Sequence, residues 1–265
     1  MKNTLFFVFG VGFGVLFSIV VYNQFPQIIS QYSKALYNKE AHSSNFESPS
    51  RASEKYTFGL DVSKYQGSIK WDSVKQSHHP IKYVFIRSTM GDDRKDIKFK
   101  YNWKEVKRIG LIRGAYHYYD PNENSTKQAN NFIASVKLEK GDLPPVLDIE
   151  ADSKYGQKNL IKGLKNWIKI IENHYGVKPI IYSTRGRYTS IIRKNFSEYP
   201  GWVASYTSKN KIKNIKWDFH QFSDNIRVKG ISVGVDGNDY NGALKDLNRI
   251  TIQGSVIVEE TKNNL

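Results

Sequence analysis

The chain has 265 residues, with 40 Lys+Arg against 25 Asp+Glu for a net charge of +15, and it contains no cysteine. That length suits one large barrel-sized domain plus an appendage, and such a domain buries a sizeable core without cross-links. The missing cysteines exclude a disulfide scaffold, a thiolate metal site and a cysteine nucleophile, while leaving the compartment open. The positive excess favours contact with polyanions or reflects plain solubility.

The first element is an apolar run from Thr4 to Tyr22, preceded by Lys2 and interrupted only by small residues such as Gly10, Gly12 and Gly14. It has no polar face, which argues against a globular helix, and it is long enough to cross a bilayer. No small-residue cleavage pattern follows it; Asn23, Gln24, Phe25 and Pro26 do. Residues 1–23 are read as a signal anchor, with a cleaved signal peptide as the alternative. Either places the rest of the chain outside the cytoplasm, anchored to the membrane or secreted. Residues 24–55, polar and rich in Ser and Asn, read as a stalk. The main domain is expected over 56–250 and a tail over 251–265.

From Tyr56 onward, β-rich runs alternate with helical patterns. The runs begin at Tyr56, Tyr83, Ile112, Pro144, Pro179, Gly201, Trp217 and Ile231. Ser125 is placed as the N-cap of a helix running toward Leu138. A second helix carries Leu160, Leu164, Trp167, Ile168 and Ile171 at three- and four-residue steps, with Gly176 where a C-cap belongs. Lys158, Lys162, Lys165 and Lys169 occupy its other faces and are read as a solvated surface. The expected fold is α/β, an irregular TIM-like β/α barrel with a depleted helix set in its C-terminal part.

The most informative run is Leu143-Pro-Pro-Val-Leu-Asp148-Ile149-Glu150. Two acids at i and i+2 on a strand point to the same face. At the C-terminal end of a barrel strand that face opens on the usual active site of such folds. Neighbouring carboxyls cannot ionise independently, so one retains a proton. Cleavage of a glycosidic bond needs such a proton, together with negative charge for a cationic transition state. Surface acids closing a strand are the bland alternative for this pair alone. Asp61 and Asp236 also follow apolar runs, Tyr-Thr-Phe-Gly-Leu and Ile-Ser-Val-Gly-Val. If these strands are parallel, all the acids face one mouth.

Gly59-Leu-Asp61-Val-Ser63-Lys-Tyr65-Gln66-Gly67 resembles the opening motif of family 25 lysozymes, G-[IL]-D-V-S-x-[YWF]-Q-G. Arg113-Gly-Ala-Tyr116-His117-Tyr118 is similar to that family's G-A-Y-H-[FY] strand, and Leu147-Asp148-Ile149-Glu150 to its D-x-E strand. Pro179-Ile-Ile-Tyr182, Trp202-Val-Ala-Ser-Tyr206 and His220-Gln221-Phe222-Ser223 resemble its later strands. Val235-Asp236-Gly237-Asn238-Asp239-Tyr240-Asn241-Gly242 resembles its closing motif. The resemblance implies hydrolysis of the β-1,4 bond between N-acetylmuramic acid and N-acetylglucosamine in peptidoglycan. It makes Glu150 the general acid, gives Asp148 the substrate N-acetyl group or the developing cation, and places Asp61 and Asp236 in the same groove. Tyr116, Tyr118, Tyr182, Tyr206 and Gln221 become candidate substrate-binding residues. The implied partners are peptidoglycan strands and, through the N-terminal segment, the membrane; no nucleic acid is expected, and the protein is read as a monomer. Two departures stand out. His220 stands where the family usually has Trp, which implies a less apolar groove wall, and Gly237 replaces a larger apolar residue, which implies backbone freedom beside Asp236.

His117, between tyrosines on a strand, reads as a packed, hydrogen-bonded histidine. The histidines show no paired metal-binding spacing, so neither metal nor cofactor is expected. A chitinase-like D-x-D-x-E strand would need an Asp where Val146 stands. A non-catalytic carbohydrate-binding protein on the same barrel would be expected to lack one of the strand-end acids.

Overall fold

The computed structural model describes residues 55–207 and 212–253. The expected anchor, the stalk up to residue 54 and most of the tail lie outside the described residues. Among the described residues no helix is long and apolar enough to cross a membrane.

The elements are β1 (Thr57–Val62), a 3-10 turn (Lys64–Gln66), α1 (Trp71–Lys75), β2 (Tyr83–Met90), β3 (Arg94–Lys95), α2 (Phe99–Arg108), β4 (Ile112–Tyr118) and α3 (Ser125–Ser135). There follow β5 (Val146–Ile149), α4 (Gln157–Tyr175), β6 (Ile180–Thr184), the short helical turns α5 (Arg185–Arg187) and α6 (Arg193–Asn195) with a π turn between them, β7 (Gly201–Ala204), β8 (Phe219–Ile226), β9 (Val235–Tyr240) and α7 (Leu244–Arg249). The sheet order is β1-β9-β8-β7-β6-β5-β4-β2-β3, and β1 pairs with β2, so eight strands close into a barrel with β3 as an outer hairpin arm. Neighbours from β1 through β2, β4, β5, β6 and β7 to β8 are parallel, whereas β9 runs antiparallel to both β8 and β1.

The apolar runs form these strands because both of their faces are covered. One face fills the barrel with large rings: Phe85 stacks on Trp202 at 4.4 Å and meets Phe219 edge-on at 5.1 Å. The other face, with Leu60, Val84, Ile86, Leu147 and Ile181, packs into the outer core with helix residues such as Phe132, Leu164 and Trp167. The periodic helix is α4, and Gly176 adopts the left-handed conformation at its C-cap (φ 69°). The other cap differs from expectation. Asn124, not Ser125, caps α3, its side chain accepting from the backbone N–H groups of Thr126 and Lys127. The helix ends at Ser135, short of Leu138. Asn and Ser are both good caps, and the one placed to reach two free N–H groups takes the position.

At the N-terminal end of the strands, Arg113 Nε and Nη2 donate to the two oxygens of Asp142 at 2.7 and 3.0 Å. Its Nη1 donates to the Trp103 carbonyl at 2.9 Å, and its guanidinium lies 3.9 Å from the Trp103 ring centre. Both charged side chains are buried. Removing one partner of such a pair strands the other charge. Asp142→Ala is therefore expected to lower stability by about 3–5 kcal/mol, read from urea unfolding; a loss near zero would show that Arg113 finds solvent or another partner.

Candidate active site

Asp148 lies inside the mouth of the barrel on β5, in register between Tyr118 of β4 and Tyr182 of β6. It is 5% exposed. Glu150 follows just beyond the last strand residue and is exposed. Asp61 comes from β1 and sits opposite Asp236 in the antiparallel register of β1 and β9. Asp236 thus reaches this mouth by a route the sequence did not indicate. It lies near the start of a reversed strand, which begins at Val235 and not at Ile231, and strand reversal exchanges start for end. Each of Asp61, Asp148, Glu150 and Asp236 is shifted by at least one of the others.

A hydrogen-bonded network fixes the centre. Gln221 Nε2 and Asn238 Nδ2 both donate to Asp61 Oδ2, at 2.9 and 2.7 Å. The hydroxyls of Tyr182 and Tyr206 both donate to Gln221 Oε1, at 2.9 and 3.0 Å. Trp202 Nε1 donates to Asn238 Oδ1 at 2.8 Å. The two tyrosines and the indole are donors here, so each amide must turn its oxygen toward them and its NH2 toward Asp61. Asp61 is thereby held as an acceptor by groups that are themselves held.

Burial raises the Asp61 pKa, opposed by the hydrogen bonds from Asn238 and Gln221. Burial, and then the charge of Asp61, pushes the carboxyl of Asp236 up to about 9. Asp148 is lifted well above the ordinary carboxylate value by burial, then by the charges of Glu150 and Asp61, with Arg87 opposing. Glu150 is raised by its partly enclosed surroundings and by Asp61, with Tyr182, Arg187 and Arg87 opposing. The cluster retains protons at pH values where ordinary carboxyls have lost them.

The tyrosines divide by depth. Tyr116 is buried beneath the carboxyls and Tyr182 reaches Gln221 among them, whereas Tyr118 is half-buried and Tyr206 lies 55% exposed. His117 is fully buried, bridges Thr89 Oγ1 (2.8 Å) and Gln128 Oε1 (3.1 Å), and is pushed down to about 4 by burial. It belongs to packing, as its setting suggested. The two sequence departures have other consequences than those expected. His220 alternates outward from its inward neighbours Phe219 and Gln221, and its Nε2 meets the Ser205 carbonyl at 2.9 Å. It lies 5.5 Å from the Trp217 ring and forms no groove wall. Gly237 also faces outward, where a Cβ would come within 2.6 Å of Ile226; it supplies room for close packing, not backbone freedom.

Sequence reasoning missed Arg87, Asp96, Asn238 and Trp202. Arg87 donates to Asp96 at 2.9 Å, and its guanidinium lies 4.9 Å from the Tyr65 ring centre. Asp96 also accepts from the Lys64 backbone N–H, tying the turn after β1 to β2. An arginine within a buried apolar strand was the available signal. Among the described residues no group of three or more His, Asp or Glu is arranged to hold a metal ion.

A closed barrel whose mouth gathers acids from β1, β5 and β9 can supply the proton and the negative charge that glycosidic cleavage needs. The model of glycosyl hydrolases family 25 matches residues 60–231, and the chain belongs to that family. It is 38% identical over 193 residues to the protein YegX of Escherichia coli (strain K12), covering 71% of each chain. It is 33% identical to lysozyme M1 of Streptomyces globisporus, covering 71% of this chain and 69% of that one. A family 25 glycosyl hydrolase structure from Bacillus anthracis superposes with a TM-score of 0.68 at 28% identity, covering 74% of this chain and 94% of that one.

A carboxyl raised to about 9 makes the folded chain bind more protons than the unfolded one above the ordinary value of 3.8. The stabilising contribution of the protonated group is complete below about pH 4 and is lost as the pH rises toward 9. Asp236→Asn keeps a polar side chain that cannot ionise. It is expected to be more stable than the parent at about pH 9, with the difference shrinking toward about pH 4. Thermal unfolding across that range checks this; a difference independent of pH would contradict it.

Proposed function

We propose that this glycoside hydrolase cleaves the β-1,4 bond between N-acetylmuramic acid and N-acetylglucosamine in bacterial peptidoglycan, with Glu150 as general acid. One observation carries the proposal: Glu150 stands exposed in the cleft directly beyond buried Asp148, in a field that raises both carboxyls. The raised pKa lets Glu150 hold its proton until a glycosidic oxygen arrives. Its exposure gives that oxygen access, which Asp148 lacks.

Proton transfer to the leaving oxygen builds positive charge on the sugar ring. Asp148 stabilises that charge or orients the substrate N-acetyl group. Its Oδ1 is buried without a hydrogen-bond partner, an acceptor suited to an amide N–H. Asp61 and Asp236 line the same groove, where Asp236 holds the pair's proton and the charge on Asp61 keeps the potential negative. Tyr182 is placed to donate to Glu150 as well as to Gln221, and its one proton serves one of them at a time. Tyr206 and Tyr118 offer ring faces to sugars at the rim, while Tyr116 and Gln221 support the floor. The resemblance to lysozyme M1 supports the substrate assignment. All the named groups come from one chain, which suits a monomer. A wall substrate suits an enzyme working outside the cytoplasm, tethered or exported through the Thr4–Tyr22 segment.

Glu150→Gln is expected to reduce the release of reducing ends from purified peptidoglycan by at least about a hundredfold, the scale of general acid catalysis. The new ends released by the parent should be N-acetylmuramic acid. Near-parental turnover by a folded Glu150→Gln protein would remove Glu150 from the role. N-acetylglucosamine at the new reducing ends would overturn the bond assignment.

A further inference from the structure

Helix α4 carries Lys158, Lys162, Lys165 and Lys169, all exposed. At 100° per residue they fall within an arc of about 60°, in a single row about 16 Å long. None stands within ion-pair distance of a carboxylate among the described residues, a condition they share with most of the described lysines, Lys107 being paired with Glu139; what sets the four apart is their alignment on one helix face. From Gln157 to Ile171 the helix has no acidic residue. The only acid on it, Glu172, faces the Tyr199 hydroxyl.

This arrangement opposes the helix's own electrostatics. Lys158 lies in the first turn, where the helix dipole favours anions. Lys158/Lys162 and Lys165/Lys169 are like-charge pairs at i,i+4, which are destabilising; a merely solvated face is better served by alternating Glu and Lys. An anion laid along the row relieves both effects. The row starts at the catalytic end of the barrel, because α4 follows the β5 end that carries Asp148 and Glu150.

We propose that this face of α4 binds a linear, phosphodiester-type polyanion attached to the cell wall, which holds the catalytic mouth against its glycan. A narrow single row of point charges matches a polymer whose anionic groups recur along one chain. A membrane surface fits less well. None of the exposed large apolar residues, which include Tyr155, Tyr206 and Leu244, lies on α4, so the face has nothing to insert among lipid chains. The same lack of exposed aromatics leaves no platform for stacked bases. Polyanion binding needs no bond cleavage, so it stands or falls separately from the assignment of Glu150.

The test uses the full chain with Lys158, Lys162, Lys165 and Lys169 all changed to Gln, a residue of similar helix propensity. The control changes Lys75, Lys100, Lys140 and Lys229, exposed lysines elsewhere, giving the same net charge. Binding to long-chain inorganic polyphosphate is measured at low salt, beside binding to phosphatidylglycerol vesicles and cleavage of a soluble neutral oligosaccharide. The row variant is expected to bind polyphosphate at least about tenfold more weakly and the control to change less than about twofold, with cleavage unchanged in both. A Lys165→Gln, Lys169→Gln pair should fall between them, and it keeps the test decisive should the fourfold variant fold poorly. Equal losses in row variant and control, or no loss in either, would overturn the proposal. So would a loss confined to vesicles, or a loss of oligosaccharide cleavage in the row variant.

Discussion

The antiparallel insertion of β9 between β8 and β1 is the constraint on which the site depends. It closes the barrel and sets Asp236 directly across from Asp61. It also delivers Asn238, two residues along the same strand, as one of the two amides that hold Asp61. A parallel strand at that position would carry Asp236 to the mouth only at its far end and would leave Asn238 beyond it. With β9 reversed, one short segment supplies both a proton-bearing neighbour for Asp61 and a donor that keeps Asp61 an acceptor.

The floor beneath the acids is rigid for a related reason. Trp202 packs on Phe85 in the barrel interior and donates its indole N–H to Asn238. Core packing therefore fixes an amide, and the amide fixes a carboxylate. Tyr182 performs the same linkage through Gln221. Gathering acids whose pKa values are raised by burial and mutual repulsion costs stability at neutral pH. The continuous apolar faces of the strands offset that cost away from the chemistry.

Much of this was legible in the sequence because it depends on local pattern. Apolar runs ending in Asp61 and Asp148 gave strands and a shared mouth, and the three- and four-residue spacing with Gly176 gave α4 and its end. The reversal of β9 was not legible: an apolar run beside an acid has no direction of its own, and only pairing with β8 and β1 supplies one. The outward facing of His220 and Gly237 depends on strand register, where a shift of one residue exchanges the faces. Arg87 was passed over because Tyr65 and Asp96 come to it from separate segments of the chain, and only folding brings the three together. The lysines of α4 were read from the sequence as a solvated surface, and that they stand without carboxylate partners emerged only once the surrounding elements were in place.

The central claim is that the mouth of the barrel holds carboxyl protons at neutral pH, one of them on the Asp61–Asp236 pair. Infrared difference spectroscopy between the parent chain and Asp236→Asn at about pH 7 tests it directly, because protonated and ionised carboxyls absorb separately. The account predicts that a protonated-carboxyl band is present in the parent and that the substitution removes a component of it. A parent spectrum with no protonated carboxyl at that pH, or a band untouched by the substitution, would contradict it.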